Sequence, residues 1–216
     1  MPFNKGRICR PAATLLVSRT RSAAMNTRLD LKFEKHAFLH WVEAREGRFE
    51  LKGNRVIMMA GGTKGHAFIT QEIAYALRRR LNPAVWRVTA ADLAVAIGED
   101  IRYPDIVVEA ASSEWSALST DAPVFLAEVL SPSSLALDFR EKAAEYMSLP
   151  SLEAYLVAAQ DEARMWLWQR PATGNGDRAF PAQPQELEGM DAIFALSALC
   201  VEAPLSEIYA GIVKAR

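Results

Sequence analysis

The sequence predicts a single α/β domain in which helices flank a central mixed β-sheet. Three observations carry that prediction. The chain has 216 residues, 50% of them hydrophobic, which is enough for one substantial core or at most two small ones, and one is the simpler reading. Apolar residues recur at helical spacing in some segments and in short β-type runs in others. Two of those runs, Tyr103-Pro104-Asp105-Ile106-Val107-Val108 and Phe125-Leu126-Ala127-Glu128-Val129-Leu130, read as buried strands, and each carries a carboxylate.

Residues 1–24 differ from the rest: Lys5, Arg7, Arg10, Arg19 and Arg21 stand among Ser, Thr and Ala with no acid. That composition matches a mitochondrial transit peptide. The plainer reading is a disordered or non-native extension ahead of Met25, with 25–216 as the folded domain. Without it, 20 basic residues face 26 acidic ones, a formal −6. A broad electrostatic footprint on duplex DNA would be basic, so any nucleic-acid contact must be local.

The first element is an amphipathic helix over 32–44, with Phe33, Ala37, His40 and Trp41 near helical spacing and Glu46-Gly47 ending it. A hairpin follows, 48–51 and 55–59 around Lys52-Gly53-Asn54. Gly61 to Gly65 reads as a flexible link. His66 to Leu81 is a second helix, with its stripe at Phe68, Ile69, Ile73, Leu77 and Leu81, stopped by Asn82-Pro83.

Short β segments at 85–89, 93–97, 105–109 and 124–130 build the sheet, with Gly98-Glu99-Asp100 as a tight turn. Ser131-Pro132-Ser133-Ser134 breaks the last of these and leads to a helix over 135–147, whose inward stripe includes Phe139, Ala143 and Tyr146. Strands at 154–158 and 165–169 surround Gln160 to Ala163. A polar stretch over 171–184 precedes a C-terminal helix over 205–213.

No apolar stretch approaches the roughly 20 residues of a membrane span. Cys9 and Cys200 form neither a CxxC nor a Cys/His cluster, which argues against a zinc site and a disulfide framework and fits a reducing, cytoplasmic compartment. The informative residues are Glu128 and Asp105. An ionised carboxylate in an apolar strand costs several kcal/mol unless a cation or donors compensate, and two such acids suggest a shared cation. The bland alternatives are a buried salt bridge for Glu128 and a turn role for Asp105 after Pro104.

The ordered series Gly47-Arg48-Phe49-Glu50-Leu51, His66 opening a helix, Tyr103-Pro104-Asp105, Glu128-Val129-Leu130-Ser131-Pro132-Ser133-Ser134, Asp138, Lys142 and Tyr146 resembles the Uma-type restriction endonuclease domain. That family looks like a branch of the PD-(D/E)XK nuclease superfamily. The likeness runs from about Leu29 to Tyr209. It implies a restriction-endonuclease-like fold and Mg²⁺-dependent hydrolysis of DNA, with Mn²⁺ as a substitute.

Carried over residue by residue, the resemblance makes Asp105 and Glu128 metal ligands and Glu50 an auxiliary acid, either a third ligand or the holder of a ligating water. The Val129 carbonyl is a further ligand by analogy. The superfamily lysine two residues after the second acid is replaced here by Leu130, and Lys142 on the following helix stands where the Uma-type branch supplies it. His66 and Gln160 occupy family positions that would line the site. Hard oxygen ligands suit Mg²⁺, which keeps several waters, and a compact ammonium suits a water or phosphoryl oxygen.

Each residue has a plainer account: a strand surface for Glu50, an ion pair with Asp138 for Lys142, a helix cap for His66, a turn for Gln160. Arg78-Arg79-Arg80 reads as a solvated helix end that favours the macrodipole, and Trp166 and Trp168 as packing residues. An alternative function is a catalytically inactive nuclease-fold module acting in nucleic-acid binding or assembly. A duplex has two strands to cut, which would suit a homodimer, but nothing in the chain specifies an interface.

Overall fold

The computed structural model describes residues 27–111, 114–130, 138–172 and 178–212. The expected N-terminal extension and the Ser131-Pro132-Ser133-Ser134 break lie outside the described residues, as do the side chains of Asp138 and Phe139. The first half of the chain forms β1 (Thr27–Lys32), α1 (Lys35–Glu43), β2 (Phe49–Lys52), β3 (Arg55–Met58), α2 (Lys64–Arg80), β4 (Trp86–Ala90), β5 (Ala94–Ile97) and β6 (Asp100–Arg102). The second half forms β7 (Ile106–Ala110), β8 (Ser119–Thr120), β9 (Pro123–Leu130), α3 (Asp138–Met147), β10 (Ala154–Ala159), β11 (Arg164–Gln169), β12 (Gln185–Glu188), β13 (Ile193–Leu196), β14 (Val201–Pro204) and α4 (Leu205–Tyr209).

The mixed sheet is the one ordered β12-β11-β10-β9-β7-β4, parallel between β9 and β10 and antiparallel elsewhere. Beside it stands a second mixed sheet, β1-β3-β2-β6-β5-β8, built almost wholly from the N-terminal half. A small pair, β13 and β14, completes the strands. Alternation along β9 assigns its faces. Phe125, Ala127 and Val129 join Ile69, Ile73 and Leu77 of α2 in one cluster, while Leu126 and Leu130 join Ala143 and Tyr146 of α3 in another. The main sheet is therefore covered by α2 on one face and α3 on the other.

Val95 of β5 belongs to the α3-side cluster, so the second sheet packs into the first there. A third cluster holds α1 on the second sheet through Phe38, Leu39, Phe49, Leu51 and Ile101. The hairpin turn has positive φ at both Gly53 (54°) and Asn54 (62°), the requirement of a type I′ turn, and Asn and Gly meet it at least cost.

Several boundaries differ from expectation: α4 ends at Tyr209, Asp100 opens β6, and two others have a clear cause. The first helix starts at Lys35 because Lys32 belongs to β1, opposite Arg55, and the Phe33 N–H donates to the Asn54 carbonyl at 3.0 Å. Gly65 lies inside α2 and is not part of a link, because Thr63 caps that helix by accepting from the His66 N–H at 3.1 Å. No described helix is long and apolar enough to cross a membrane.

Candidate functional site

Strand register brings the two carboxylates together. Ile106 of β7 lies opposite Ala127 of β9, so one step further along the pair come Asp105 and Glu128, pointing to the other face of the sheet. That face is the one on which Leu126 and Leu130 meet α3. From α3, Lys142 and Tyr146 stand one turn apart. Lys142 Nζ lies 3.1 Å from Glu128 Oε1, and the Tyr146 hydroxyl donates to the same oxygen at 2.9 Å. Leu130 is a buried core residue.

Asp105 is held from two directions. The Val129 N–H donates to its Oδ2 at 2.8 Å, and His66 Nε2 lies 3.0 Å from that oxygen. His66 reaches it because α2 begins at Lys64 under the Thr63 cap. The Thr63 hydroxyl also bonds to Gln160 Oε1, and a Cβ on Gly65 would come within 3.3 Å of the Gln160 carbonyl oxygen. Gln160, itself buried, is thus bonded to the cap residue that positions His66.

Glu50 is 1% exposed and faces a cation the sequence reading did not single out. Arg102 Nη1 donates to Glu50 Oε2 at 2.7 Å, and its Nε and Nη2 donate to Glu145 Oε2 at 2.9 and 2.6 Å. Lys52 adds ion pairs to Glu141 at 2.7 Å and Glu145 at 2.9 Å. Lys142 Nζ lies 3.8 Å from Glu50 Oε1, so one ammonium stands between Glu50 on the second sheet and Glu128 on the main sheet. Arg102 left one signal, its place in the Arg102-Tyr103-Pro104-Asp105 run that carries the chain from β6 to β7.

The electrostatics separate the acids. Burial pushes Glu128 up to about 7; Lys142 opposes this, Asp105 and Glu50 add to it, and the Tyr146 bond opposes it. Burial would raise Glu50 too, but Lys142 and Arg102 outweigh it and hold the carboxyl below its usual value. The hydrogen bond to Asp105 raises His66 against the effect of burial. Burial beside Glu128 keeps the Tyr146 phenol well above its ordinary range, so it remains a donor.

Among the described residues, no three or more His, Cys, Asp or Glu side chains gather closely enough to hold a metal ion between them. A three-carboxylate cage is therefore not preformed. Mg²⁺ commonly takes one or two carboxylates and completes its shell with water and substrate phosphate. Asp105 and Glu128 are the two carboxylates on this face that would answer that smaller demand. Burial first, and then Asp105 and Glu50, raise the proton affinity of Glu128 against the pull of Lys142, so its charge is incompletely compensated and a cation would be accepted there.

The model of the Uma2 family, described as "Putative restriction endonuclease", matches residues 36–199. An uncharacterized protein of Synechocystis sp. is 24% identical over 147 residues, 67% of this chain and 77% of that protein. A second from the same organism is 26% identical over 128 residues, covering 57% and 72%. A crystal structure from Anabaena variabilis, of a "putative nuclease belonging to DUF820", superposes with a TM-score of 0.64 at 16% identity, covering 82% of this chain and 98% of that one. The last likeness is one of fold.

Proposed function

This chain belongs to the Uma2 family, and from that premise we propose that it hydrolyses DNA phosphodiester bonds with the help of a divalent cation. The observation that carries the reading is the meeting of Glu128 with Lys142 at 3.1 Å on the sheet face that Asp105 shares. Asp105, Glu128 and the Val129 carbonyl would hold Mg²⁺, or Mn²⁺ in its place. When bound, the cation would polarise the phosphodiester and lower the pKa of a coordinated water.

The remaining work falls to side chains. Lys142 orients the attacking water or offsets charge on the phosphoryl oxygens, a task for a point charge on a flexible stem. Glu50, itself clamped by Arg102, sets a second carboxylate 3.8 Å from that ammonium and helps keep it charged. His66 fixes the orientation of Asp105, and Tyr146 that of Glu128.

The test is cleavage of supercoiled, linear and single-stranded DNA and of RNA in Mg²⁺ or Mn²⁺. Asp105→Ala and Glu128→Ala should each lose at least about 100-fold, the scale of removing a main electrostatic stabiliser. Cleavage by both variants at the wild-type rate would remove the reading. A second reading, an inactive nuclease-fold module, is favoured by the lack of a preformed three-acid cage among the described residues. Calorimetry with Mn²⁺ separates the two: saturable binding lost in Glu128→Ala supports the enzyme, and no binding at millimolar metal supports the module. Small phosphodiesters as substrates distinguish DNA from other esters.

A further inference from the structure

A cavity of about 360 Å³ opens beside the carboxylate site, lined by Arg48, Phe49, Asp92 and Tyr103 together with Leu39 and Leu118. Its size falls within the range of small-ligand pockets. Two independent features gather there. Arg48 Nη2 is buried and has no hydrogen-bond partner among the described residues, and a buried donor on a charged group is costly to leave unpaired. Ala91 and Asp92 are consecutive non-glycine residues with positive φ, 58° and 65°, the kind of backbone strain that concentrates at ligand sites. That strained turn is tied to the proposed metal site, since the Ala91 N–H donates to the Asp105 carbonyl at 2.9 Å. Tyr103 lies two residues before Asp105 on the same run.

The lining selects the ligand class. A bare phosphate would gain Arg48 but would face Asp92 and Glu43, which also line the cavity. A neutral planar heterocycle avoids that repulsion. Its faces can lie on the Phe49 and Tyr103 rings, one edge can accept from Arg48, and another can donate to Asp92. Guanine joins two acceptors, O6 and N7, which a guanidinium reads as a fork, to the N1–H and N2–H donors a carboxylate accepts.

We propose that this cavity takes an unstacked nucleobase, guanine in preference to the other three, from the strand whose phosphodiester lies at the Asp105/Glu128 site. Arg48 and Asp92 read the base, and the Ala91–Asp92 turn couples its arrival to Asp105. The identity of the strand rests on the nuclease reading, but base binding is measurable without cleavage.

The experiment is ligand-observed NMR titration of the full chain, in EDTA, with the trinucleotides TGT, TAT, TCT and TTT and with inorganic phosphate. TGT should saturate and bind at least tenfold tighter than TTT. Arg48→Met and the more conservative Asp92→Asn, each checked for a native thermal transition, should weaken TGT at least tenfold and leave TTT unchanged. Equal affinity for all four trinucleotides, competition by phosphate alone, or no effect of either variant would overturn the proposal. Guanine-dependent binding that persists in Glu128→Ala upholds the pocket. The same binding in a chain that cuts no DNA would uphold the pocket and sink the nuclease reading alone.

Discussion

Glu128 and Glu50 share one lysine yet sit on opposite sides of the ordinary carboxylate range, because Arg102 clamps only Glu50. The proton affinity of Glu128 has a consequence for stability whose sign follows from linkage. Its folded pKa, about 7, lies above the reference value of 4.5, so the folded state binds the proton more tightly and stability falls as pH rises between those values. For the metal-free protein the loss should approach an upper limit of about 3 kcal/mol. Urea unfolding in chelator at pH 5 and pH 8 should show it, and Glu128→Gln should flatten the dependence; an unchanged slope in that variant would assign it to other groups. Mg²⁺ should stabilise more at pH 8 than at pH 5, since cation and proton compete for the same oxygens. Arg102 matters by the same logic. Arg102→Met leaves Glu50 buried without its main partner and should cost about 3–5 kcal/mol, part of it recovered by adding Glu50→Gln. Independent, additive costs for the two substitutions would show that the pair is not coupled.

The entry of α2 shows how an element delivers a side chain. Thr63 caps the helix, bonds Gln160 across to the end of β10, and so sets the azimuth at which His66 meets Asp105. Thr63→Ala should cost about 1 kcal/mol as a lost cap and should also move the His66 pKa down toward its ordinary value, because the raising hydrogen bond to Asp105 loosens. NMR titration of the His66 ring reads this; a stability loss with the His66 pKa unmoved would confine the cap to a structural role. The same helix shows what sequence could reveal. Its stripe at Ile69, Ile73 and Leu77 was plain because seventeen residues give the 3.6 period room to repeat. β6 and β8 were not legible, being three and two residues long, too short for alternation to register. β1 escaped notice because it belongs to the sheet only through its distant pairing with β3.

At the scale of the whole molecule, the candidate site lies on the seam between two sheets. Glu50 and Arg102 come from the second sheet, Glu128 from the main one, Lys142 from the helix covering that face, and Asp105 from the run that joins the sheets. The acids in apolar strands were visible in sequence because burial makes a carboxylate conspicuous. Arg102 was not, because an arginine in a three-residue strand looks solvent-facing until the fold places Glu50 and Glu145 around it. The seam also bears on how nucleic acid is held. The chain carries 25 basic and 26 acidic residues, and Lys142, Lys52 and Arg102 are already engaged with carboxylates. Those three seam cations are therefore held back from displacing counterions on a duplex. With each phosphate contact contributing about −0.9 to the slope of log K against log salt, a chain beginning at Met25 should show a slope of about −2 to −4, and the five cations of residues 1–24 should steepen it in the full chain. Fluorescence anisotropy of a labelled duplex from 50 to 200 mM salt, in Ca²⁺ to suppress cleavage, measures both. A slope of about −6 or steeper for the shorter chain would mean an extended basic footprint, and with it a different surface from the seam as the one that meets the phosphates.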